Sequence, residues 1–122
     1  KIIYIKKTDS KNFIILDAAM NDLIRPALYG AKHRIIASKL NKKKISKTHE
    51  FVGPICETSD KFLTVNGFQK INQKDLIIIC DVGAYGMVLS SNYNLRLKPP
   101  EILINKSSIK VITKRQKLNN II

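Results

Sequence analysis

No apolar run in this chain is longer than five residues; the longest are Phe13-Ile14-Ile15-Leu16 and Leu76-Ile77-Ile78-Ile79-Cys80. Runs of that size are strand-length and far short of the ~20 residues a membrane helix needs. Turn-forming clusters separate them: Thr8-Asp9-Ser10-Lys11-Asn12, Gly53-Pro54, Ser90-Ser91-Asn92 and Pro99-Pro100. The expected strands are residues 2–6 and 13–17, paired as a hairpin, then 50–56, 75–82, 101–105 and 109–113. The 75–82 segment is apolar enough to be expected buried on both faces. Residues 20–36 are the one helical candidate, with Pro26 at its first position, where the missing N–H costs nothing. Leu28, Ala31, Lys32 and Ile35 would then share a face. A short basic helix is expected after Lys114. The fold class is therefore mainly β with one short helix, a small β-barrel or sandwich. Internal repeats and linkers are absent, so residues 1–122 are expected to form one domain.

Composition is globular, with 44% apolar and 25% charged residues. The formal charge of +13 and a pI near 9.9 suggest a nucleic-acid partner. The distribution argues otherwise. Residues 1–49 carry twelve basic and three acidic side chains, residues 50–105 five and six, and the remainder five and none. The densest cluster, residues 39–47, reads as a solvated loop, and no aromatics for base stacking interleave with it. No nucleic-acid or membrane partner is expected. The opening residues lack the order of a signal peptide, which points to a cytosolic setting with Cys56 and Cys80 as free thiols. There is no C-x-x-C pair, and His33 and His49 lie far from both cysteines, so no metal site is expected.

A few side chains have chemical potential. Arg25 and Tyr29 are four apart, so a helix would place them on one face, and a guanidinium beside a phenol makes a carboxylate clamp. Taken alone, a surface arginine beside a half-buried tyrosine explains them as well. Cys56 alone reads as a small buried hydrophobe and Glu57 as a solvated charge. Tyr85 stands between two glycines, where a side chain is exposed or packed at a turn. Cys80 reads as core. Asp17, Asn21 and Asp22 read as turn and capping residues; Tyr93 reads as structural, and the two histidines as non-catalytic.

Four ordered stretches carry more information: residues 17–29 (DAAMNDLIRPALY), 52–58 (VGPICET), 81–86 (DVGAYG) and 90–94 (SSNYN). In order and spacing they resemble the C-terminal part of diaminopimelate decarboxylases, and the likeness extends over nearly the whole chain. The resemblance implies the C-terminal β-domain of a fold-type III pyridoxal-phosphate decarboxylase, with the TIM-type barrel domain outside this chain. It implies a homodimeric enzyme that converts meso-2,6-diaminopimelate to L-lysine and CO2. By the same resemblance Arg25 and Tyr29 hold the distal carboxylate of the substrate. Cys56 and Glu57 reach the partner subunit's active site, the thiol assisting protonation and the carboxylate pairing with the distal amino group. Tyr85 lies against the pyridoxal 5'-phosphate and substrate. The resemblance also implies that the Schiff-base lysine and the glycine-rich phosphate site belong to the barrel; in this chain Gly83-Ala84-Tyr85-Gly86 lacks the spacing of a phosphate loop. The segment alone is expected to be inactive. Ala19 and Ser59 stand where the family often has Gly. Decarboxylases of ornithine, arginine or carboxynorspermidine share the architecture, and a small basic nucleic-acid-binding domain is the alternative from another class.

Overall fold

The computed structural model describes residues 1–121. Its strands and α-helices follow the order β1 (Ile2–Lys7), β2 (Lys11–Leu16), α1 (Arg25–Tyr29), β3 (Ile35–Ala37), β4 (Lys44–Val52), β5 (Lys61–Gln69), β6 (Ile77–Ile79), α2 (Ala84–Val88), β7 (Glu101–Asn105) and β8 (Ser108–Thr113). A tight turn at Tyr93–Leu95, with Asn94 in the left-handed region, and a 3-10 turn at Leu118–Asn120 complete it. The main sheet has the order β1-β2-β4-β5, and β3-β6 and β7-β8 form two-stranded sheets. The arrangement is sandwich-like, and among the described residues no sheet closes into a barrel.

Pairing is antiparallel for β1/β2 and β4/β5 but parallel for β2/β4. A parallel pair needs a long crossover. Residues 17–43 supply it, and they carry Arg25 and Tyr29 along the way. β2 alternates strictly between half-buried and buried residues, which sends Asn12, Ile14 and Leu16 inward. Ile14 is paired with Phe51 of β4, and neither is accessible to solvent. Each such side chain contributes about 1.5–3 kcal/mol by leaving water. Ile2, Leu16, Leu23, Ile35, Phe62 and Ile71 complete the core, and Phe51 meets Phe68 edge-on with centroids 5.1 Å apart.

On the outer face of β4, buried Glu50 accepts hydrogen bonds from Lys11 and Lys61, the latter at 3.0 Å. Burial alone pushes the Glu50 carboxyl up, but the two lysines outweigh it and leave it below the usual range.

The hairpin and the β7 and β8 strands match the sequence expectations, and several other elements differ. The helical candidate shrinks to α1, because Gly30 at φ +64° caps it and the β-branched pair Ile35-Ile36 joins β6 instead. Leu28 therefore points to solvent and Ile35 into the core, sharing no helix face. A second short helix, α2, holds Tyr85. The 75–82 strand contracts to β6, whose one partner is the three-residue β3, so Ile78 stays exposed instead of buried on both faces. The basic cluster is only partly loop, since Lys44 and Lys47 lie in β4. β5 was not anticipated, and the expected tail helix is a single 3-10 turn at Leu118–Asn120. His33 lies outside α1, buried, with Nδ1 3.2 Å from the Cys80 carbonyl oxygen.

Candidate functional site

The loop after β4 is built around one carboxylate. Asp60, 2% exposed, accepts hydrogen bonds from the backbone N–H of Ile55 at 2.8 Å and of Met20 at 2.7 Å. Its own backbone oxygen accepts from Gly53 N–H at 3.0 Å. Gly53 is required there: a Cβ would come within 2.2 Å of an Asp60 carboxylate oxygen. Burial pushes the Asp60 carboxyl above its usual range, although the two N–H groups oppose the shift. Asp60 thus ties residues 53–60, which carry Cys56 and Glu57, to the turn that precedes α1.

That turn is locked as expected from Asp17, Asn21 and Asp22. Asp22 accepts from Ala19 N–H at 2.9 Å. Arg96 Nε donates to Asn21 Oδ1 at 2.9 Å, and Arg96 also reaches the Asp17 carbonyl. The Asn21 backbone carbonyl accepts from Ser91 N–H at 2.9 Å. These contacts bring the 91–96 segment beside the Glu57 loop.

The Glu57 side chain is exposed, and two hydroxyls hold it. Ser59 Oγ donates to Oε1 at 2.5 Å and Tyr93 Oη to Oε2 at 2.6 Å. The Ser59 bond first, and then that of Tyr93, draw the Glu57 carboxyl below its usual range. The carboxylate in turn raises the Tyr93 phenol. Glu57, Tyr93, Met20, Asn21, Ile24 and Ser91 line an open depression of about 310 Å³. Cys56 is exposed, unlike the buried hydrophobe its residue type suggests, because the pinned loop turns it outward.

Arg25 opens α1, and its guanidinium carbon lies 5.7 Å from the centroid of the Tyr85 ring, a cation–π contact. Tyr29, at the other end of α1, is 65% exposed, and Tyr85 is 64% exposed. The structure therefore joins Arg25 to Tyr85 and Glu57 to Tyr93, while Tyr29 and Cys56 face outward without a partner in the site. Cys80 is half-buried just past β6, not in the core.

Sequence reasoning missed Asp60, Arg96 and the contact of Tyr93. Asp60 offered a signal, an acidic residue seven after Gly53 in a Gly-Pro loop; the reach from Tyr93 to Glu57 spans 36 positions and offered none. The described residues do not by themselves fit a site for pyridoxal phosphate. None of their lysines is buried, α2 has only five residues, and Gly83 faces open space instead of a cradle. Among them no group of three or more His, Cys, Asp or Glu gathers to hold a metal. Among the described residues no helix is long and apolar enough to cross a membrane.

Comparison with known proteins gives one consistent answer. Residues 1–83 match the family profile described as pyridoxal-dependent decarboxylase, C-terminal sheet domain. The diaminopimelate decarboxylase of Aquifex aeolicus is 38% identical over 122 residues, covering 100% of this chain and 29% of that protein. The crystal structure of the M. jannaschii diaminopimelate decarboxylase in complex with L-lysine superposes with a TM-score of 0.91 at 36% identity, over 98% of this chain and 27% of that one. The Helicobacter pylori enzyme, also solved with L-lysine, gives 0.86 at 40% identity, over 98% and 29%. The chain thus spans less than a third of the length of each of these relatives.

Proposed function

Because the chain belongs to the pyridoxal-dependent decarboxylase family, as its C-terminal sheet domain, we propose that its 122 residues act as one domain of a diaminopimelate decarboxylase. That enzyme removes CO2 from meso-2,6-diaminopimelate to give L-lysine, in the cytoplasm and as a homodimer with shared active sites. This segment supplies recognition of the far end of the substrate and part of the dimer interface. The observation that carries the reading is the pairing state of the charges. Among the described residues no cation pairs with Glu57 and no carboxylate pairs with Arg25, although hydrogen bonds and stacking orient both. A substrate whose distal end carries an ammonium and a carboxylate needs one group of each sign.

In this reading Arg25 and Tyr29 bind the distal carboxylate, and Tyr85, in contact with Arg25, borders substrate and cofactor. Glu57 binds the distal ammonium and Cys56 carries the proton for the carbon that loses CO2, both acting in the partner's site. Pyridoxal phosphate, held by the rest of the enzyme, supplies the electron sink. The relatives solved with L-lysine hold the product of this reaction.

The test uses the full-length protein with pyridoxal phosphate and follows lysine release from meso-diaminopimelate. E57Q is expected to lower kcat/KM on the order of 100-fold, because it removes the charge a desolvated ammonium needs. Near-normal turnover by E57Q would remove Glu57 from the site, and no lysine from the unaltered enzyme would refute the reaction itself.

A further inference from the structure

Glu57 is held in an unusual way for an exposed acid. Each carboxylate oxygen accepts one hydroxyl, from Ser59 and from Tyr93, and about half of its lone-pair positions stay open. Both donors are neutral. An arginine or lysine in either place would hold the carboxylate as firmly but would cancel its charge and repel an incoming cation. Hydroxyls fix the orientation and leave the negative charge available.

The chain goes to some length to place Tyr93. Its backbone N–H lies 3.3 Å from Ser91 Oγ, and Asn92 Nδ2 donates to the Arg96 carbonyl at 2.8 Å and to Gln116 Oε1 at 2.6 Å. The two residues that follow, Asn94 and Leu95, adopt φ of +57° and +55°. The left-handed region is unfavourable for a leucine, and such strain persists only where the surroundings enforce it. The result is that a phenol remote in sequence meets Glu57 across an open depression.

We infer that Tyr93, together with Ser59, is a positioning residue that aims the Glu57 carboxylate at a primary ammonium group of the substrate. The inference rests on Glu57 being the ammonium-binding residue proposed above. The other groups around the depression leave the assignment clear. Met20, Asn21, Ile24 and Ser91 bring no charge to it. The Asp22 and Asp60 carboxylates are turned onto backbone N–H groups, and the Arg96 guanidinium is engaged with Asn21 and Asp17.

The experiment is steady-state kinetics of the full-length, pyridoxal-phosphate-loaded enzyme on meso-diaminopimelate, with Y93F, S59A, E57Q and Y93F/E57Q. Y93F keeps the ring and loses only the hydroxyl. It is expected to raise KM about tenfold, in line with the loss of a group that orients a binding residue, with a smaller change in kcat. The acid limb of kcat/KM moves to higher pH, because Glu57 loses a donor that favours its ionised form. S59A moves the limb in the same direction, and Y93F/E57Q is no worse than E57Q. If E57Q is crippled while Y93F keeps the wild-type KM and acid limb, the positioning role is overturned and the reading of Glu57 stands. If E57Q is unimpaired, the function assigned to Glu57 falls and this inference with it.

Discussion

Removing the Asp60 carboxylate isolates the part of the fold that most directly supports the site. Asp60→Ala strips the acceptor from the N–H groups of Ile55 and Met20, held at 2.8 and 2.7 Å, and leaves both beside a void. A hydrogen bond to a charged group is worth about 1.5–3 kcal/mol, so the two together amount to roughly 3–6 kcal/mol. Burial disfavours the ionised carboxyl, as its raised pKa shows, which places the net loss toward the lower figure. Asp60→Asn keeps one acceptor oxygen and sheds the buried charge, so it costs about half as much. In the full-length protein, urea unfolding gives the magnitude, and amide hydrogen exchange gives the location, with Met20 and Ile55 losing protection first. The site follows, because Cys56 and Glu57 ride on the loop that Asp60 anchors. Asp60→Ala with unchanged exchange at both amides and stability within about 0.5 kcal/mol of wild type, the range of a neutral surface change, would refute the reasoning.

Two further outcomes follow from other parts of the fold. Glu50 is held below the usual carboxylate range because Lys11 and Lys61 outweigh its burial. Its contribution is therefore complete above the unfolded-state value and is lost as pH falls through the lower folded value. Urea midpoints measured across acidic pH should fall in the wild type and fall less steeply in Glu50→Gln. Gly30 caps α1 at φ +64° with open space where a Cβ would stand, so Gly30→Ala carries only the backbone penalty, about 1–2 kcal/mol. A urea-unfolding difference near zero would show that the end of α1 does not need the left-handed conformation.

Local chemistry made much of this domain legible. The hairpin β1/β2 could be read because a polar turn separates two β-branched runs, and β7/β8 because Pro99-Pro100 and a short polar link bound two more. Pro26 marked the start of α1 for the same kind of reason, a φ fixed by one residue. Arg25, Tyr29, Cys56, Glu57 and Tyr85 stand as proposed site residues on the strength of ordered motifs, whose spacing is a property of the chain.

What the chain could not announce is who pairs with whom. The 75–82 run looked like a central strand because apolarity was its strongest feature, yet only Ile77–Ile79 form a strand, since a strand's burial depends on what lies on both of its faces. Residues 44–47 looked like solvated loop by charge but entered β4, because Lys44 and Ile45 pair with Gln69 and Phe68 of β5 while the Lys47 ammonium reaches the Thr8 carbonyl. Local composition thus determined where the chain turns, where strands arise and which motif residues are present. Only the tertiary structure decided that Asp60 pins the Cys56-Glu57 loop and that Tyr93 meets Glu57. Contacts across 36 or 40 positions are set by the packing of the whole domain, and no window along the sequence contains both partners.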